Sequence, residues 1–312
     1  MAKSLTIGIL VPAFNEEARV GEVLKELLAE VQAQEKATGH VIKVAVVDDG
    51  STDSTANIVK AHDQVTLVSH QSNQGLGAAV RSGLTWAHNI NADIAVKLDA
   101  DGQHDPSDLA AVIAPIVANQ ADVVYGSRFG QIAYQMPFVR RLGNRIFSGL
   151  MKLLTGWPIQ DAQPGFFAVS KAYLETFTIP GDYNYTQQII LEASLAKLRF
   201  TQVNIHFRKR VTGQSFISLR YPLKVLPQIL IVIALYRPMK IFGTIGISTL
   251  FVGILWGFVE LLFWLAGVTE KPVMRTNLVT ILVIFGAQTL FFGVLAELVS
   301  QLFRSVQKLK NR

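Results

Sequence analysis

The sequence predicts an α/β fold, a mostly parallel sheet wound with helices, followed by a helical membrane hairpin, and two observations carry that prediction. From about residue 5 to 126, short apolar runs alternate with amphipathic stretches, the order that builds a parallel sheet covered on both faces. Near the end, two apolar stretches at about 241–268 and 278–303 each exceed the roughly 20 residues that a helix needs to cross a bilayer. Composition agrees, because 50% of the 312 residues are hydrophobic and only 17% are charged, too apolar for an ordinary soluble chain.

Five strands are expected, at Thr6–Val11, Lys43–Val47, Val65–Val68, Asp93–Leu98 and Asp122–Tyr125. A sheet of this kind binds ligands beyond the carboxyl ends of its strands, and polar residues collect there. The first strand runs into Pro12-Ala13-Phe14-Asn15-Glu16-Glu17, the second into Asp48-Asp49-Gly50-Ser51-Thr52-Asp53, and the fourth into Asp99-Ala100-Asp101-Gly102-Gln103-His104. An Asp-x-Asp at such an end can hold a hard divalent cation through oxygen, with substrate phosphates completing the shell. That points to a nucleoside diphosphate. Each piece also has a plainer reading: Asp-x-Asp as a surface turn, Asn15 or Ser51 as a helix cap, Asp53 as a first-turn charge. Massing Asp48, Asp49, Asp99 and Asp101 along one edge is repulsive without a cation or a donor-rich ligand, which favours a binding site.

The two apolar stretches are joined by the short polar segment Thr269–Thr276, so both outer ends of the hairpin share one compartment. Arg237, Lys240, Arg304, Lys308, Lys310 and Arg312 flank those ends, against Lys271 and Arg275 in the turn. The positive-inside bias makes the shared compartment the cytoplasm. Leu5–Leu10 is too short for a signal peptide. Zero cysteines leave no disulfide framework and no thiolate metal site. A net charge of +6 comes from clusters such as Arg140-Arg141 and Arg208-Lys209-Arg210. They lack a base-reading pattern and suit an anionic membrane surface, so no nucleic-acid partner is expected. The broken apolar stretch 217–236 reads as interfacial helices in the headgroup layer. Glu260 and Glu297 read as interfacial or intersubunit carboxylates rather than an ion path. Gly243, Gly246, Gly253 and Gly257 suit close helix packing and a homo-oligomer.

Together, Pro12-Ala13-Phe14-Asn15-Glu16, Asp48-Asp49-Gly50-Ser51, Asn73-Gln74-Gly75, Asp99–His104 and Gly126-Ser127-Arg128 resemble the inverting polyprenyl-phosphate glycosyltransferases, the dolichyl-phosphate mannose and glucose synthases. The resemblance covers about residues 5–216, and the trailing hairpin is similar to that of bacterial membrane-anchored members, which favours a bacterial inner membrane. It implies a GT-A nucleotide-sugar fold at 1–214, interfacial helices at 215–237 and a membrane domain at 238–312. Pro12, Ala13, Asn15, Glu16, Asp48, Asp49, Asn73, Gly75 and Ala100 would bind the nucleotide sugar, with Asp49 accepting from the base. Asp99, Asp101 and Gln103 would hold Mg²⁺ or Mn²⁺ on the diphosphate.

The same resemblance assigns the acceptor phosphate to Arg128, Arg140, Arg141, Asn144, Arg210 and Ser215. Arginine suits this task because its planar fork binds phosphate in pairs of hydrogen bonds and keeps its charge near lipid. Asn144 stands where the family often has Ser, and Phe216 where it has Lys. Asp161 opens Asp161-Ala162-Gln163-Pro164-Gly165-Phe166, similar to the family's segment under the sugar, where it would orient sugar or arginine. Its Asp-x-Gln form leans toward UDP-glucose, with GDP-mannose as the alternative donor. The expected chemistry is a single displacement in which catalytic Asp99, Asp101, Asp161 and Arg128 position a polyprenyl phosphate against the anomeric carbon. A non-enzymatic nucleotide-sugar sensor or transport subunit is the alternative from another class.

Overall fold

Strand β1 (Thr6–Ala13) carries Ile7, Ile9, Leu10 and Val11 and is buried almost throughout, as a strand covered on both faces must be. The computed structural model describes residues 4–128, 138–179, 185–208 and 238–310. The chain divides into two compact units, Met1–Leu219 and Arg220–Arg312.

In the first unit, β2 (Val41–Asp48), β3 (Val65–Ser69), β4 (Ile94–Lys97), β5 (Val123–Ser127), β6 (Phe167–Ser170) and β7 (Phe200–Asn204) join β1 in one sheet of order β3-β2-β1-β4-β6-β5-β7. This is seven strands rather than five. Strand β6 lies antiparallel between β4 and β5, and β7 closes the far edge parallel to β5. All other pairs are parallel, so the mostly parallel α/β fold stands. Because β6 runs backwards, its leading residues Gly165 and Phe166 reach the same sheet edge as the carboxyl ends of β1, β2, β4 and β5.

The covering helices follow from apolar spacing. Helix α1 (Val20–Thr38) buries Val20, Val23, Leu24, Leu27 and Val31 on one stripe and stops at Gly39, which takes φ +70°. After α2 (Thr55–Lys60), helix α3 (Leu76–Asn89) packs small residues on β1. A β-carbon at Gly83 would meet Leu10 at 2.8 Å. A 3₁₀ turn at Pro106–Asp108 leads into α4 (Leu109–Val117), and α5 (Phe138–Thr155), α6 (Lys171–Leu174) and α7 (Tyr185–Leu195) complete the unit.

In the second unit, a π-helical turn at Met239–Gly243 continues into α8 (Thr244–Leu265), which pairs with α9 (Thr276–Lys310). Met239–Leu265 and Thr276–Leu302 are each 27 residues long and strongly apolar, with only 11% of each apolar window buried. A core helix would be buried, so these are membrane-anchoring helices. They lie two residues earlier at their starts than the sequence placed them. A β-carbon at Gly246 would strike Leu290 N at 2.6 Å and Gly286 O at 2.9 Å, and one at Gly253 would strike Leu282. Gly246 and Gly253 thus serve the close helix packing expected of them, within the hairpin itself. Glu260 has a similar local use. Its carboxylate accepts from Trp256 Nε1 at 2.9 Å and from the Arg275 backbone N–H at 3.0 Å, which caps the start of α9. Glu297 accepts from Gln301 one turn on, at 3.5 Å.

Candidate active site

The loops after β1 and β2 are laced together by side chain to backbone hydrogen bonds. Asn15, at φ +52°, donates its N–H to Ser51 Oγ and accepts from Thr52 N, both at 2.9 Å. Glu16 N–H reaches Thr55 Oγ1 at 2.9 Å, and Glu17 N–H reaches Asp53 Oδ2 at 3.1 Å. Asp48 Oδ1 accepts from Ser51 N at 3.1 Å. Asp49 is buried and accepts from His70 Nδ1 at 2.7 Å, Gln74 N at 2.9 Å and Gly75 N at 2.8 Å. His70 in turn meets Ser82 Oγ at 2.9 Å. Gly50, at φ +74°, has no room for a β-carbon against the Ser72–Asn73 backbone. Asp48 and Asp49 therefore satisfy their charge with the chain's own donors and require no ligand to do so. Their backbone ties nonetheless fix the Ser51 and Gln74–Gly75 backbone at the end of β2.

The end of β4 is built differently. Lys97 is fully buried on the strand, and its ammonium donates to Asp99 Oδ1 and to Gly165 O, the latter at 2.8 Å. The Tyr185 ring lies 5.6 Å from that nitrogen. Burial opposes the charge on Lys97, but the Asp99 carboxylate outweighs it and holds the ammonium protonated. Burial likewise opposes the charge on Asp99, and Lys97 with His104 keeps its carboxyl well below the usual range. His104 is buried between Phe166 and Phe207, with Nε2 at 3.3 Å from Asp99 Oδ2.

Asp101 has no such cation. Burial, and then the charge of Asp99, push its carboxyl above the usual range, while its Oδ1 accepts from Gln103 N at 3.0 Å. Two mutually repelling oxygen donors with Gln103 beside them fit a hard divalent cation. Among the described residues no cluster of three or more His, Asp or Glu side chains is arranged to hold one alone. Ala100 is buried between the two carboxylates.

Arg128, immediately after β5, grips the far end of the loop that precedes β6. Its Nε and Nη2 bind the fully buried Asp161 carboxylate at 2.7 and 3.1 Å, and Nη2 also reaches Gln163 O at 2.9 Å. Asp161 Oδ1 accepts from Gln163 N, and Gln202 Nε2 donates to Asp161 O at 2.7 Å. Loop 161–165 thus hangs between two cations, Arg128 at Gln163 and Lys97 at Gly165. A β-carbon on Gly165 would collide with Asp99 Oδ2 and His104 Nε2. Past β7, Phe207 forms a bridge with His104 and lies under Arg128, 5.5 Å from its guanidinium carbon. The Arg208 N–H donates to Gln103 O at 2.8 Å.

The edge of the sheet therefore gathers Pro12 to Glu16, Asp48, Asp49, Asn73, Gly75, Asp99 to Gln103, Arg128 and Asp161. Arg140, Arg141 and Asn144 fall on the opening turns of α5, and only their backbone is described. Arg210, Ser215, Phe216 and the interfacial stretch 217–236 lie outside the described residues. Sequence reasoning missed Lys97, His104, Gly165 and Tyr185 as site residues. The lone lysine in the apolar run Ile94–Leu98 was the available signal, because a charge inside a buried strand needs a partner.

Residues 8–178 match the glycosyl transferase family 2 profile, and residues 237–302 match the GtrB C-terminal hairpin. The UDP-N-acetylglucosamine–dolichyl-phosphate N-acetylglucosaminyltransferase of Methanococcus voltae is 34% identical over 190 residues, 55% of this chain and 72% of that protein. The polyprenol monophosphomannose synthase of Mycolicibacterium smegmatis is 27% identical over 221 residues, 67% of this chain and 80% of that protein. Among solved structures, glucosyl-3-phosphoglycerate synthase of Mycobacterium tuberculosis, in complex with Mn²⁺, UDP and glucosyl-3-phosphoglycerate, shares the fold at a TM-score of 0.54. It is 22% identical, and the match covers 74% of this chain and 78% of that one.

Proposed function

Because the chain belongs to glycosyl transferase family 2 and is a glycosyltransferase of the polyprenyl-phosphate type with a membrane hairpin, we propose that it moves a hexose from UDP onto a polyprenyl phosphate with inversion. The observation that carries this reading is loop 161–165, held between Lys97 beside the Asp99–Asp101 pair and Arg128. One loop so braced sets a diphosphate-binding edge and a phosphate-binding guanidinium on either side of a sugar.

In the proposed reaction, a phosphate oxygen of the lipid attacks the anomeric carbon in line. The new carbon–oxygen bond forms as the bond to the UDP oxygen breaks, and the bond electrons leave with UDP. A phosphate monoester is largely ionised at neutral pH, so no side chain has to remove a proton. Asp161 fixes the plane of Arg128 through its paired contacts, and Arg128, whose Nη1 has no partner among the described residues, orients the incoming phosphate. Asp99, Asp101 and Gln103 would hold Mg²⁺ or Mn²⁺, which stabilises charge developing on the leaving diphosphate by several kcal/mol. Pro12, Ala13, Asn15, Glu16, Asn73 and Gly75 would line the nucleotide around Asp48 and Asp49. By the family resemblance, Arg140, Arg141, Asn144, Arg210 and Ser215 would supply the remaining contacts to the acceptor phosphate.

Asp161-Ala162-Gln163 favours UDP-glucose, and the names of the two relatives put N-acetylglucosamine and mannose next in order. The basic residues flanking the hairpin favour a catalytic unit on the cytoplasmic face. The test is transfer of label from a panel of UDP- and GDP-sugars to undecaprenyl phosphate in detergent, with Mn²⁺ or EDTA, by wild type and Asp101→Ala. A glycolipid that requires metal and is lost in the variant is expected, and the productive donor names the sugar. No glycolipid from any donor, with the protein folded and binding UDP, would sink the lipid-phosphate acceptor.

A further inference from the structure

A divalent cation in the crevice would meet a carboxylate pair that is already half neutralised. Lys97 is 0% exposed, whereas Asp99 beside it is 25% exposed. Its ammonium is closed off from solvent, and among the described residues Asp99 is its ion-pair partner, with the Tyr185 side chain beside it. It is fixed by Asp99 Oδ1 and Gly165 O, while His104 Nε2 faces Asp99 Oδ2. Lys97, Asp99 and Asp101 therefore sum to one negative charge rather than two. No further carboxylate or imidazole among the described residues completes a cage. Hard cations bound through one or two carboxylates depend on substrate phosphates for the rest of their shell.

We propose that Lys97 is a positioning residue whose fixed ammonium prevents the Asp99–Asp101 pair from retaining a divalent cation until a diphosphate supplies the missing negative charge. The cation then enters and leaves with the nucleotide. This rests on the donor and metal assignment proposed above and adds an order of binding to it. The sign of the effect separates this role from mere support. A residue that only props Asp99 in place would weaken cation binding when removed. A residue that withholds charge would strengthen it, because a positive charge within a few ångströms in a partly dry site repels the incoming cation.

The experiment is Mn²⁺ binding to the full chain in detergent at pH 7.5, read from the electron paramagnetic resonance signal of free Mn²⁺. It is run with and without saturating UDP and corrected for the Mn²⁺–UDP complex that forms without protein. Wild type is expected to bind Mn²⁺ at least tenfold more tightly with UDP. Lys97→Gln, which keeps a donor for Gly165 O, and Lys97→Met are expected to bind Mn²⁺ without UDP at least tenfold more tightly than wild type. Lys97→Arg keeps the wild-type pattern. Unchanged or weaker Mn²⁺ affinity in a variant with native circular dichroism overturns the proposal, and so does tight UDP-independent binding by wild type. If neither uncharged variant folds, tight UDP-independent Mn²⁺ binding by wild type still overturns the proposal. Absence of Mn²⁺ binding even with UDP removes the metal assignment itself. UDP-dependent binding that ignores Lys97 leaves that assignment standing and removes only this inference.

Discussion

Strands β2 and β4 both end in paired aspartates at one edge of one sheet, yet the two ends solve opposite problems. At β2, Asp48 and Asp49 are met by backbone N–H groups and His70, so each carboxylate is satisfied from within. At β4, Asp99 leans on a buried lysine and Asp101 is left facing the charge of Asp99. Saturated carboxylates build a loop, whereas a carboxylate kept at odds with its neighbours waits for a ligand. Proximity in sequence to an acidic pair therefore says little until the donors are counted.

The sharpest way to break this contrast is Asp101→Asn. Burial and then Asp99 raise the Asp101 carboxyl above its ordinary range. The native state thus binds that proton more readily than the unfolded chain, and charged Asp101 lowers stability at neutral pH, a loss relieved as pH falls through the carboxylate range. We expect metal-dependent transfer to fall about 10³-fold, in line with several kcal/mol of lost charge stabilisation, with a melting temperature at or above that of wild type. A clear fall in melting temperature would place Asp101 in the same class as Asp49.

Asp49→Asn should do the reverse. Replacing an acceptor that serves three donors costs roughly 1–3 kcal/mol, about 2–12 °C by thermal melting for a domain of this size. The Michaelis constant for donor should rise as the Asn73–Gly75 loop loosens, with turnover largely kept. A smaller effect is expected for His70→Ala, about 1 kcal/mol, because the Gln74 and Gly75 N–H groups still hold Asp49. If the histidine variant melts as low as the aspartate variant, the imidazole rather than the loop backbone is the main tie.

Much of this was legible in the chain. Parallel strands announce themselves by continuous apolar runs, and the hairpin by length and hydropathy. Strand β6 was not, because its four residues follow Pro164 and Gly165 and only pairing with β4 and β5 makes them a strand. Strand β7 is half buried and mixed in character, so neither alternation nor an apolar run marks it. The aspartates at the site could be read from their place after β2 and β4. Their division of labour could not, since the partners of Asp49 lie more than twenty residues away and Lys97, which meets Asp99, is itself held by a carbonyl at residue 165. Glu260 reads in the sequence as an interfacial or intersubunit carboxylate, and only the hairpin brings the Arg275 backbone N–H to it.

The antiparallel strand β6 also imposes a timetable on biosynthesis. Strands β1 to β4 pair among themselves and are complete once residue 97 has left the ribosome. One edge of β4, however, finds its neighbour only with Phe167–Ser170. Until that strand arrives, a nascent half-sheet carries an open edge, which is the feature most prone to pair with another chain. Over the same interval Lys97 lacks the Gly165 carbonyl that later receives it. The strand that completes loop 161–165 is thus also the one that closes the open edge of β4 in the growing chain.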